Sequence, residues 1–144
     1  MRQARLLWER MMNDARRLAA LRIALIAVGL IAIFALWPLM ILWPSGWSWQ
    51  SGHSDYPLMI VGIYATLGVF LLMASRNPMK HLSLIWFTVW SSVVHGAIMA
   101  VQSFGAEMDG TRHVGHLLGD VPALFIVAAV LAFLMPRENK ARAL

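Results

Sequence analysis

The sequence predicts an all-α fold: a four-helix transmembrane bundle, up-down, preceded by a basic amphipathic helix. Three observations predict it. Four apolar runs of membrane-crossing length follow one another along the 144 residues. Hydrophobic residues make up 60% of the chain and charged ones 13%, with mean hydropathy +0.66, whereas a soluble domain carries roughly 25% charged residues. Nearly all the Lys and Arg sit in segments flanking those runs on one side, which explains the pI near 10.8 by membrane orientation rather than nucleic-acid binding. Zero cysteines exclude disulfides, thiolate metal sites and Cys nucleophiles.

Residues 1–22 hold six Arg with Glu9 and Asp14. Wound as a helix, Ala4, Trp8, Met11, Ala15 and Leu18 form one face, and Arg5–Glu9 and Arg10–Asp14 are i,i+4 ion pairs on the other. This segment reads as a cytoplasmic arm on an anionic membrane surface. The domain of residues 23–136 follows. Its first run, 23–43, has no charge and is long enough to cross a core of ~30 Å at ~1.5 Å per residue. It is too long for a signal h-region, and Pro44-Ser-Gly-Trp47 follows it rather than a small-x-small cleavage pattern, so it is expected to be an uncleaved helix bent near Pro38. Residues 44–56 form a loop whose Trp47 and Trp49, with Trp43, suit the headgroup level.

The second span is expected over 57–75, where Gly62, Ala65 and Gly68 at i, i+3, i+6 offer a face for close helix approach. A basic turn, Arg76 to Lys80, leads into the third span, 82–104. An acidic hairpin, 105–112, precedes the last span. Only 121–135 is uncharged there, too short to cross, so the span is drawn over 114–135 with His116 and Asp120 below the surface. Residues 137–144 are a cytoplasmic tail. Eleven of the 12 Lys and Arg fall in the two tails and the Arg76–Lys80 turn. By the positive-inside rule both termini are cytoplasmic, and the loops carrying His53, Asp55, Glu107, Asp109 and His113 face outward.

Counting depth from the outward helix ends at ~1.5 Å per residue puts Tyr64 ~10 Å, His95 ~13 Å and Asp120 ~9 Å into the membrane. Three polar groups on three helices thus reach one level. Ser91, His95, Met99 and Gln102 share a stripe on the third helix, and His113, His116 and Asp120 share one on the fourth. Ionisable groups in hydrocarbon cost ~2.5–3.5 kcal/mol each, so His95 and Asp120 are expected to partner each other, with Tyr64 or Ser91 completing the bonds. Gly119-Asp120-Val121-Pro122 also reads as an N-cap before proline, which would restart a helix inside the membrane.

Several chemistries fit this cluster. The pair could simply fasten helices three and four. His113, His116 and Asp120, with Glu107, have ligand spacing for a divalent metal, and Met99 would bias the site to copper. Haem is disfavoured because His95 and His116 differ by ~10 Å in depth. A proton, quinone or lipid head-group site would use Tyr64, His95, Met99, Gln102 and Asp120. No Gly-rich phosphate loop or separable Ser/His/Asp triad occurs, and no catalytic residue is assigned.

At the runs His95-Gly-Ala-Ile-Met99-Ala-Val-Gln102 and His116-Leu-Leu-Gly119-Asp120-Val-Pro122-Ala-Leu, the chain resembles a family of small bacterial four-helix membrane proteins classed as a domain of unknown function. The resemblance covers roughly residues 56–137. It implies four helices and a bacterial inner membrane, and carries no activity, cofactor or residue role. The expectation is a non-enzymatic accessory subunit of a larger membrane assembly or a homo-oligomer, in contact with lipid, other integral subunits or itself, and not with nucleic acid. Its alternative is an outward-side metal-, quinone/lipid- or proton-binding protein built on His95, His113, His116 and Asp120; a transporter is a third class.

Overall fold

A computed structural model describes residues 1–48, 56–105 and 114–136. Helix α1 spans Arg2–Phe34, α2 Leu36–Leu42, α3 Pro44–Trp47, α4 Tyr56–Arg76, α5 Leu82–Gln102 and α6 Asp120–Leu134. Short 3₁₀ turns over Pro78–Lys80 and Val114–Leu117 precede α5 and α6. Counting the turn before α6 with it, four helical segments are long and apolar enough to cross a membrane. Large apolar side chains such as Phe70, Phe87, Trp90, Ile98, Ile126 and Phe133 point outward, as lipid-facing residues do.

The 33-residue α1 runs unbroken across the expected boundary between arm and span. At ~1.5 Å per residue it is ~50 Å long against a core of ~30 Å. The arm is therefore continuous with the first apolar run as one helix, with no break between them. Arg5 and Glu9 pair at 3.6 Å; the expected Arg10–Asp14 pair involves a side chain outside the described ones. Helix α1 ends at Phe34 because Pro38 clashes with the carbonyl four residues back and offers it no N–H. The bend lies at Ala35, and Pro38 sits in the first turn of α2.

Helices α1 and α4 pack antiparallel and very closely. A Cβ on Gly68 would lie 2.6 Å from the Gly29 carbonyl oxygen, and one on Gly29 would lie 2.9 Å from the Gly68 carbonyl oxygen. In lipid, helices associate through such contacts, not through hydrophobic exclusion. Only Gly68 of the expected small-residue face does this; Gly62 points outward with nothing near it. Helices α5 and α6 form the second tight pair, with Phe125 against Gly96. The pairs meet through α1 and α6, while α4 and α5 scarcely touch.

The packed core lies in the basic half of the bundle, where Leu25, Leu71, Ile85, Val89, Ala128 and Leu131 interlock. Arg17 fastens that end: its Nη2 donates to the Phe133 carbonyl at 2.8 Å, and its guanidinium lies 5.3 Å from the Phe133 ring centroid. A cation there complements the C-terminal dipole of α6. At the other end α3 rests on residues 114–119. Gly115 and Gly119 admit the backbone of Ser45 and Gly46 so closely that no Cβ would fit at either position.

Candidate functional site

Between the packed basic half and the α3 roof, the two helix pairs separate and enclose a cavity of about 390 Å³, within the 300–1,000 Å³ typical of small-molecule sites. On α4 it runs from Tyr56 to Leu71, some 20 Å at ~1.5 Å per residue. Its polar lining gathers towards the roof: Trp47, Tyr64, His95, Gln102 and Asp120. The deeper lining is largely apolar, with Val28, Leu67, Leu71 and Val127. The cavity is an amphiphilic slot, and α4 and α5 form a sparsely packed wall of it.

One hydrogen bond crosses that wall. Tyr64 Oη and His95 Nδ1 are 2.6 Å apart, with ring centroids at 5.9 Å. A second polar pair stands on the far side, where His116 Nδ1–H donates to Asp120 Oδ2 at 2.8 Å. His116 is wholly buried and Asp120 nearly so. The short bonds therefore differ from the expected His95–Asp120 pair, although both residues line the same slot as the depth count required. The reason is local. The helix is interrupted between Leu117 and Asp120, and the looser path swings His116 over the carboxylate one turn on. On α4, Tyr64 lies at the depth of His95 and closes the gap first.

The helix does restart inside the span. Gly119, not Asp120, occupies the capping position, and Asp120 sits in the first turn of α6, where a carboxylate suits the helix dipole. Ser91 does not complete the cluster, since its hydroxyl donates to the Thr88 carbonyl at 3.2 Å. The α5 stripe on the slot is Thr88, Ser92, His95, Met99 and Gln102. These alternate at four and three residues, a spacing that selects Ser92 over Ser91. Met99 and Gln102 line the slot as expected.

Trp47 was expected only at the headgroup level, and Tyr56 only in a loop; both line the slot. Trp47 holds its indole N–H buried with no acceptor among the described residues. The sequence signal for it was weak, because the four-residue α3 has too few positions to show a periodicity. For the metal reading, His116 and Asp120 come together, while Glu107 and His113, like Trp49, lie outside the described residues. Among the described residues, no group of three His, Asp or Glu could hold a metal ion.

Among the described residues, four helices of membrane-crossing length around this slot mark a small multi-pass membrane protein. The chain belongs to the family of unknown function DUF6632, which matches residues 15–143. No curated protein and no solved structure matches it.

Proposed function

We propose that this is a non-enzymatic inner-membrane protein that holds one amphiphilic molecule, head towards the roof and tail in the apolar depth of the slot. The observation that carries this reading is the 2.6 Å Tyr64–His95 bond across the sparsely packed α4–α5 seam. A polar bridge across this seam would offer a ligand entering from the bilayer between α4 and α5 a head-group anchor. The charge distribution supports cytoplasmic termini, and hence a roof facing outward. Native mass spectrometry of protein released from its own membrane tests the reading. A bound molecule in fixed ratio is expected with the native chain and its loss with Ser92→Phe, which fills the slot. A native chain that carries nothing and binds no added amphiphile saturably overturns it.

The accessory-subunit reading stands second. Trp8 and Met11 are 62% and 64% exposed on the part of α1 that projects past the bundle, a stripe that suits another helix. A protein that is monomeric in mild detergent and brings no partner from native membranes would remove it.

A further inference from the structure

Resting on the amphiphile reading, we infer that the occupant is an isoprenoid-type quinone: a flat, neutral dicarbonyl ring on an apolar tail. The first argument is charge. Among the described residues no Lys or Arg lines the slot, and the formally charged side chain among them there is the carboxylate of Asp120. A phosphate or fatty-acid carboxylate would enter low-dielectric surroundings without a counter-charge, which is prohibitive. That ranks amphiphiles with an anionic head below those with a neutral one.

The second argument is the count of donors. With the imidazole neutral, the Tyr64–His95 pair keeps one donor whichever way its proton lies. If the phenol donates to Nδ1, the imidazole retains Nε2–H; if Nδ1–H donates to the phenol oxygen, the phenol O–H is left. The second donor is the indole N–H of Trp47, whose side chain lines the slot and whose nitrogen is buried with no acceptor among the described residues; an acceptor brought by the ligand would satisfy it. Gln102 supplies a third. Neutral donors on opposing elements call for a head with an acceptor at each end. A quinone has two such carbonyls, an alcohol head only one oxygen, and the Tyr64 and Trp47 rings offer faces for a flat head. Asp120 can accept from the O–H of the reduced form. The slot's length and volume suit a ring with the first part of one chain.

The test is isothermal titration of the full-length protein in nanodiscs, corrected for partitioning into empty discs. The probes are decylubiquinone, decylbenzene (ring and tail without carbonyls), lauric acid and dodecylamine. Saturable binding of about one equivalent of decylubiquinone is expected, with the other three at least tenfold weaker. Trp47→Phe keeps an aromatic ring and removes the N–H. It should weaken decylubiquinone about tenfold, leave decylbenzene unchanged and leave the ligand-free melting temperature no lower. Unchanged decylubiquinone affinity in Trp47→Phe, or tighter binding of lauric acid or dodecylamine, overturns the quinone inference and leaves the amphiphile reading standing. Saturable binding of none of the four overturns both.

Discussion

Tyr64 and His95 on one side of the slot, and His116 and Asp120 on the other, solve the same problem: a polar side chain in an oily segment must find its partner within the protein. The hydroxyls of Thr66, Ser75, Thr88 and Ser103 solve it within their own helices, each donating to a carbonyl three or four residues back. Histidine and aspartate cannot, so their partners mark where helices or turns must meet. His116→Ala removes the donor to a buried carboxylate and should lower stability by about 1–3 kcal/mol. Asp120→Asn keeps an oxygen that can accept from His116 and should cost less. Thermal unfolding in detergent measures both, and equal stability of His116→Ala and the native chain would contradict the buried pair. The sequence revealed that Tyr64, His95 and Asp120 share a depth, because rise per residue is fixed. It could not reveal which pairs form, because that depends on the turn at Leu118–Gly119, where the helix is interrupted and the path of His116 is set.

Among elements, the crossing of α1 and α4 depends on two glycines whose backbones touch. In Gly68→Ala the new methyl would meet the Gly29 carbonyl at 2.6 Å and Ile33 Cγ1 at 2.8 Å. Backbone cannot yield as a flexible side chain would, so the helices must part, at a cost of about 1–3 kcal/mol. Gly62→Ala meets nothing within 4 Å and should stay within about 0.5 kcal/mol of the native chain. Comparing the two melting temperatures checks the assignment; equal losses would mean that the outward placement of Gly62 is wrong. The small-residue stripe was readable on α4, but its true partner was not. Gly29 is a lone glycine in an aliphatic run, and its role exists only once Gly68 faces it.

For the whole molecule, the tight basic half and the open opposite half follow from where contacts are made. Arg17, Leu25, Leu71 and Leu131 bind the basic ends of the helices together, leaving the slot as the place where the bundle can open. The membrane orientation proposed from charge can be read with cysteines, since the chain has none of its own. Ala4 and Phe104 are both exposed, at opposite ends of the bundle. In intact cells, Phe104→Cys should react with a membrane-impermeant maleimide and Ala4→Cys only after permeabilisation. The reverse pattern would invert the protein.

The all-α class and the four long apolar helices were determined by the sequence alone, because each depends on local composition and a fixed helical rise. Which helices pair, how Trp47 enters the slot and why α4 and α5 stand apart were decided by the tertiary structure. The reason lies in the solvent. In a bilayer the outside of a helix is as apolar as its inside, so the amphipathic pattern that assigns faces in water is largely erased, and close packing of particular residues chooses the neighbours instead.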